Sequence, residues 1–410
     1  MKSKNKHITL IGINFYPEDT AIGLYSTQLM EYLKEKGYEI SVITGFPYYP
    51  AWEIKEDYKK KPRFFHEKHK GISIYRYKQY VPDNPGFLKR IIHLVNFTLG
   101  SYFNLKKIKH TDLVLSIVPF TTDIWLGKKL AKKHNAKLWV HIQDFEFDAA
   151  IESKLSGGNN FIFKQLFRIE QKLLTSADVA STISHAMLKK LKTKTNHKPQ
   201  SYLLPNWVDI DFINSEKAKR HPYIQKNKFN ILYSGNIGNK QDWNLFINLA
   251  KKMEGNDNIV FIVVGDGANK QKLIKETAGL KNIFHYEPVP YKELPDLLCS
   301  ADLHILFQKN DVIDTVMPSK ILGMMSSAKP SVIAGNRQSE VAEVLQESKG
   351  GFYFENNQIK EIIDQINQLQ QNKELATEIG KNAREYISKN FSKEALLISF
   401  EEKIKNLLEK

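Results

Sequence analysis

Phe229-Asn-Ile-Leu-Tyr-Ser-Gly-Asn-Ile-Gly-Asn-Lys240 decides the fold. Its first six residues form an apolar, β-rich run. A glycine-bracketed turn follows at 234–240, and a helical pattern begins beyond it. Strand, tight turn and helix in that order open a doubly wound α/β unit, here beginning past the middle of a 410-residue chain. Further β-rich runs follow at 258–264, 282–286, 302–307, 331–334 and 351–354, separated by helical stretches. The same grammar precedes it, with strands at 7–13, 38–43, 112–116, 137–142, 178–183 and 201–204. Helical patterns at 24–36, 87–108, 121–134, 160–175 and 185–194 lie between them. This alternation predicts parallel sheets covered on both faces.

A polar stretch rich in Lys and Asn (214–228) follows Pro205 and separates the two series. The expected organisation is an N-terminal Rossmann-like domain at 1–205 and a second at 206–390. A C-terminal helix at 391–410 is expected to pack back across their junction. The expected fold class is therefore α/β, with two doubly wound domains facing an interdomain cleft. In such sheets ligands gather beyond the C-terminal strand ends.

Hydrophobic residues make up 42% of the chain, enough for two cores and too many for a disordered chain. Cys299 is the single cysteine, which excludes a disulfide framework and a thiolate metal site. It sits in an apolar helical pattern, where packing is its expected role. The run from Ile8 to Ile13 is too short for a secretory signal, and no apolar stretch of spanning length exists. The expected location is cytoplasmic. Residues 1–205 carry 33 Lys and Arg against 18 Asp and Glu, while residues 206–410 carry 27 of each. The whole excess lies in the first half, which points to an anionic partner, either a lipid surface or a nucleic acid. No nucleic-acid motif accompanies the charge, so the lipid surface is preferred.

The turn at 234–240 reads either as a bare strand-to-helix turn or as a phosphate cradle. Glycine lets backbone approach a phosphate, a helix start offers N–H groups, and Lys240 adds a cation. Gly265-Asp266-Gly267 follows the next strand and forms either a second wall of that pocket or a turn in which Asp266 caps a helix. Met317-Pro318-Ser319-Lys320 opens another helix. A lysine in a first turn opposes the helix dipole unless an anion binds there, which marks Lys320 as a diphosphate contact. Gly23 opens the first helix of the chain and faces the same question of loop or ligand wall. His141, Asp144, Glu146 and Asp148 cluster after the strand 137–140, a costly gathering unless they meet a polar ligand such as sugar hydroxyls. A metal there lacks a second histidine at ligand spacing. The segment 86–109 is aromatic and apolar with basic ends. It reads as an interfacial amphipathic helix or as a buried crossover helix.

Together these segments resemble glycosyltransferases of the GT-B fold, family 4, the retaining group. The resemblance is carried by PEDTAIGLYSTQLMEYLKEKGYEISVITG (17–45), LPNWVD (204–209), SGNIG (234–238), VVGDG (263–267) and PSKILGMM (318–325). It covers nearly the whole chain and is strongest to transferases of colanic-acid and O-antigen assembly, including an N-acetylfucosamine transferase type. The resemblance implies that Gly235, Asn236, Gly238, Lys240 and Lys320 approach the diphosphate of a nucleotide sugar, with Gly265, Gly267, Pro318 and Ser319 in the same wall. It places His141 against the donor sugar, Gly23 beneath the diphosphate, Val289 near the base, and Glu340 at the donor site. Asp144 and Glu146 are further candidates for sugar or acceptor contact. The paired glutamates of the family fall near Thr315 and Gly323, neither of which is acidic.

The expected reaction is retaining transfer from a nucleotide sugar, UDP-linked and of the N-acetylated deoxysugar type. The acceptor is a polyprenyl-diphosphate-linked glycan of surface polysaccharide, capsule or O-antigen assembly. His141, Lys240 and Lys320 are the expected catalytic group, no cofactor or divalent metal is needed, and the enzyme is expected to sit peripherally on the inner membrane face. Two rivals are a sugar-nucleotide epimerase of the same architecture and a non-catalytic protein that binds anionic surfaces.

Overall fold

The computed structural model describes residues 6–19, 21–83, 85–118, 121–145, 160–311 and 319–409. It comprises two compact units, Met1–Pro205 with Leu397–Lys410, and Asn206–Leu396. Both are open α/β sheets of the Rossmann-like kind.

In the first unit the strands are β1 (His7–Ile11), β2 (Glu39–Gly45), β3 (Phe64–His69), β4 (Ile72–Tyr77), β5 (Leu113–Val118), β6 (Lys137–Ile142), β7 (Val179–Thr182) and β8 (Gln200–Leu203). The helices between them are α1 (Ala21–Glu35), the single turn α2 (Glu56–Lys59), α3 (Phe87–Asn104), α4 (Thr122–His134), α5 (Asn160–Leu174) and α6 (His185–Thr195). The sheet order is β3-β4-β2-β1-β5-β6-β7-β8. All pairs are parallel except β3 with β4, which corrects the all-parallel expectation at this edge. Lys70 (φ 46°) and Gly71 (φ 78°) form its two-residue turn, whose positive φ values match the twist of a hairpin. Every second residue of β3 is exposed, as an edge strand requires.

Arg76, on β4, is fully buried. Its guanidinium donates to the carbonyls of Gly45 (2.8 Å) and Tyr16 and pairs with Glu67 of β3. One side chain thus ties the hairpin edge to the loop after β1.

The second unit holds β9 (Phe229–Ser234), β10 (Ile259–Val264), β11 (Ile283–Tyr286), β12 (Leu303–Phe307), β13 (Ser331–Ala334) and β14 (Phe352–Phe354). Its helices are α7 (Trp243–Lys252), α8 (Lys270–Thr277), α9 (Leu294–Ser300), α10 (Ser319–Ser326), α11 (Glu340–Ser348), α12 (Ile359–Gln371) and α13 (Lys373–Asn390). The order β11-β10-β9-β12-β13-β14 is wholly parallel. β10 is buried at all six residues, the continuous apolar run of a strand covered on both faces. Sequence order reverses between β9 and β12, and between β1 and β5 in the first unit. Such reversals open a crevice at the C-terminal sheet edge, because the flanking connections leave in opposite directions.

Cys299 is buried in α9, as expected. The last helix, α14 (Lys393–Leu408), begins in the second unit, where Lys393 pairs with Asp209 at 3.3 Å. From Leu397 onward it counts with the first, and the buried ring of Phe400 lies 4.7 Å from that of Trp139. Asp209 also accepts from Phe212 N at 3.0 Å, which closes a turn at the start of the second unit.

Replacing Arg76 with Ala takes the guanidinium from the carbonyls of Gly45 and Tyr16 and leaves Glu67 with the Tyr58 hydroxyl as its donor. We expect a loss of about 3–5 kcal/mol in urea unfolding, as for other half-broken buried pairs.

Candidate functional site

The crevice of the second unit is built by three loops. Gly235 follows β9 with φ 136°, a conformation that β-carbons oppose. A β-carbon there would also strike the Lys320 side chain, coming within 2.8 Å of Nζ. Gly265, after β10, lies so close to the Gly235 carbonyl that a β-carbon would overlap it. The two loops are stitched together by Gly235 N to Val264 O (2.9 Å), Ile237 N to Asp266 O (2.8 Å) and Asn269 N to Ile237 O (2.9 Å). Gly238 N donates to Gln241 Oε1 at 3.1 Å, and its carbonyl accepts from Trp243 Nε1 at 3.0 Å. Gly267 N donates to the Asp266 side chain at 2.8 Å, and the cap position before α8 is Asn269. The reading of Asp266 as helix cap is therefore corrected: its carboxylate serves its own turn.

Lys320, second residue of α10, is the cation of this loop. Its ammonium donates to Tyr233 Oη (2.7 Å) and the Asn236 carbonyl (3.3 Å), and lies 4.7 Å from the Tyr233 ring centroid. Tyr233 Oη donates to the same carbonyl at 2.5 Å. Burial pushes the Tyr233 phenol up, so it stays a protonated donor. Sequence reading did not single out Tyr233. Its role depends on the pleat of β9 and on a partner 87 positions away.

Lys240 is placed differently. Its side chain is exposed and makes no hydrogen bond or ion pair among the described residues, while its carbonyl accepts from Lys309 N at 3.0 Å. Ser319 starts α10, and Pro318 lies outside the described residues. Val289 is half-buried against the core after β11. Glu340 is the first residue of α11, whose cap is the buried Ser339. Ser339 Oγ donates to Tyr353 Oη at 3.0 Å, and Tyr353 Oη donates to the Asn336 carbonyl at 2.8 Å. β11 and β13 stand four strand steps apart, about 19 Å. Val289 and Glu340 thus mark the ends of an elongated edge with Gly235 at its middle. Gly323 faces Leu298 and Ile213, with a built β-carbon 3.2 and 3.8 Å from them, so an acid there would point into apolar packing. Thr315 lies outside the described residues.

In the first unit Gly23 is the third residue of α1 and is buried. The neighbour it makes room for is Glu18, whose β-carbon would lie 2.6 Å from a β-carbon at position 23. Glu18 Oε1 accepts from Tyr48 N and Tyr49 N, and Oε2 from Asn14 Nδ2, all at 2.9 Å. Burial raises its pKa, and these three donors oppose the rise. A carboxylate beneath a helix start is also favoured by the dipole. The role of Glu18 was not legible in the sequence, because two of its three donors come from a loop thirty residues on.

His141 closes β6. Ser181 Oγ lies 2.9 Å from Nδ1 and Gln143 Nε2 lies 2.9 Å from Nε2. With the amide so oriented, Nε2 accepts and Nδ1–H donates to Ser181, which also accepts from Trp139 Nε1 at 2.8 Å. Burial holds the imidazole pKa down at about 3. A ring so held is neutral at physiological pH, with one N–H and no imidazolium proton to act as a general acid. Asp144 is exposed, and Glu146 and Asp148 lie outside the described residues.

The native state refuses the proton that an unfolded imidazole takes up near pH 6.5. Stability from His141 is therefore present at neutral pH and lost as pH falls. Comparing unfolding at pH 7 and pH 5, we expect His141→Gln to lose about 2 kcal/mol less than the wild type.

Residues 214–386 match the family model described as glycosyl transferases group 1. The chain is 31% identical over 407 residues to the putative colanic acid biosynthesis glycosyl transferase WcaI of Escherichia coli (strain K12), covering 96% of this chain and 98% of that one. Among solved structures, sucrose-phosphate synthase from Thermosynechococcus elongatus superposes with a TM-score of 0.75 at 13% identity, over 98% of this chain and 99% of its own. Anabaena Alr3699/HepE in complex with UDP and glucose gives 0.68 at 13% identity, over 98% and 100%.

Proposed function

Starting from a chain that belongs to the group 1 glycosyl transferases, and so is a GT-B glycosyltransferase of glycan biosynthesis, we propose how its sites are used. The second unit binds a nucleotide diphosphate sugar, UDP-linked and of the N-acetylated deoxysugar type, along the β11–β13 edge. The sugar passes with retention to a polyprenyl-diphosphate-linked glycan bound by the first unit, in capsule or O-antigen assembly. The enzyme works peripherally on the inner membrane face.

The observation that carries this reading is the Lys320 ammonium seated on the Gly235 loop, at the point where strand order reverses. Charge builds on the diphosphate as the glycosidic bond breaks. A fixed cation and the N–H groups of the α10 start meet it without reorganising. A ligand phosphate would take the ammonium from the Asn236 carbonyl and the Tyr233 hydroxyl, which are weaker acceptors than a dianion. Lys240 adds charge from the exposed turn, where solvent screens it more strongly. His141, neutral and buried, orients sugar hydroxyls by exchanging Gln143 for one of them at Nε2. The HepE relative, whose structure holds UDP and glucose, supports the choice of base. The WcaI relative supports a surface polysaccharide product.

Lys320→Ala should lower turnover of a UDP-sugar by about a hundredfold, the scale of one lost oxyanion contact, and Lys240→Ala by about tenfold. Unchanged rates in both variants would defeat the assignment. Release of free sugar or an epimerised nucleotide without acceptor would instead favour the epimerase reading.

With lysines and helix dipoles doing the work of a divalent ion, transfer should continue undiminished in excess EDTA. Loss of activity restored by magnesium or manganese would overturn that part.

A further inference from the structure

Helix α3 has two apolar faces: Leu94 and Phe97 are buried in a core cluster with Ile13 and Tyr48, and a second set faces outward. Its polar His93, Thr98, Ser101 and Asn104 are buried, while Leu88 (73% exposed), Ile92 (56%), Val95 (39%), Leu99 (61%), Tyr102 (39%) and Phe103 (57%) face outward. Their spacing of three and four residues keeps them on one face, an arc of about 100°. The helix has 18 residues and so runs about 27 Å. Scattered apolar residues on a surface are ordinary, but a continuous stripe of this length is not. At its C-terminal end the stripe widens into aromatic rings: Phe64 lies 6.2 Å from Phe103, and Trp125 stacks on Tyr102 at 5.5 Å.

Both ends of the stripe are basic. Lys89 and Arg90 stand at its start, and Lys106, Lys107 and Lys109 just past its end, all exposed. Residues 86–133 hold nine Lys and Arg against two acids, and one of those, Asp123, is buried. Among the described residues no helix is long and apolar enough to cross a membrane.

We propose that this face docks on an anionic lipid bilayer. The helix lies in the headgroup plane with the stripe from Leu88 to Phe103 inserted, and the basic ends meet lipid phosphates. A second copy of the chain is a poor occupant. Antiparallel pairing of two stripes would set Lys89 and Arg90 of one against Lys106, Lys107 and Lys109 of the other, and parallel pairing would set like clusters together. The inference deepens the membrane-linked acceptor reading and rests on it for its purpose, although the geometry is independent of the acceptor.

The test is sedimentation of the full chain with vesicles of phosphatidylcholine, alone or mixed with phosphatidylglycerol. Wild type should pellet with the mixed vesicles, less with neutral ones, and less again in high salt. The double variant Ile92→Glu, Leu99→Glu alters exposed positions only and should partition about tenfold more weakly. Its UDP-sugar thermal shift should match the wild type, showing an intact fold and donor site. Wild type that stays in the supernatant, or a variant that pellets equally, overturns the proposal. A concentration-dependent dimer broken by the variant assigns the face to a second copy instead. Vesicle binding without transfer to a lipid-linked acceptor would leave the docking standing and remove the acceptor reading.

Discussion

The contact on which the second unit's site depends is that of the Lys320 ammonium with the Asn236 carbonyl and the Tyr233 hydroxyl. Position 235, which has no β-carbon, leaves the room that the end of this lysine occupies. A lysine in the first turn of a helix is disfavoured by the helix dipole, and the chain retains it where two loops converge. Gly265 lets the second loop close on the first, and three backbone hydrogen bonds fix the distance between them. The result is a cation and a helix start aimed at one place on the sheet edge. An anion bound there would offset the dipole's repulsion of that lysine.

The first unit reaches a different solution at its own point of strand reversal. There the space under the helix start is taken by Glu18, held by three donors. Gly23 serves that packing first. The two related sheets thus present opposite characters at corresponding places, a carboxylate in one and a lysine in the other. This agrees with diphosphate binding by the second unit alone, even though the excess positive charge of the chain lies in the first. That charge gathers around α3 instead, far along the sequence from any glycine loop.

Much of the fold was legible because apolar runs such as Ile259–Val264 are bounded by polar or glycine residues, and parallel strands need no partner close in sequence. The β3–β4 hairpin escaped because its outer strand is an edge with alternating exposed and charged residues, and Lys70-Gly71 is a weak turn signal. Lys320 could be found from its clash with the dipole, a local rule broken at a local place. Lys240 looked equivalent only through its closeness in sequence to Gly238, and the turn carries its side chain into solvent. Tyr233 and Glu18 were invisible for the opposite reason. Their importance lies in partners brought from 87 and 30 positions away, which no spacing rule records. The chain 86–109 offered two readings, buried crossover or surface helix, and α3 is both, one to each face.

The central claim is that the loop at Gly235 and Lys320 binds the β-phosphate of the donor. Calorimetric titration with UDP and with UMP tests this most directly, because the two ligands differ only in that phosphate. UDP should bind about tenfold or more tightly than UMP, and the difference should vanish in Lys320→Met. Equal affinities in the wild type, or a difference that survives in Lys320→Met, would contradict it.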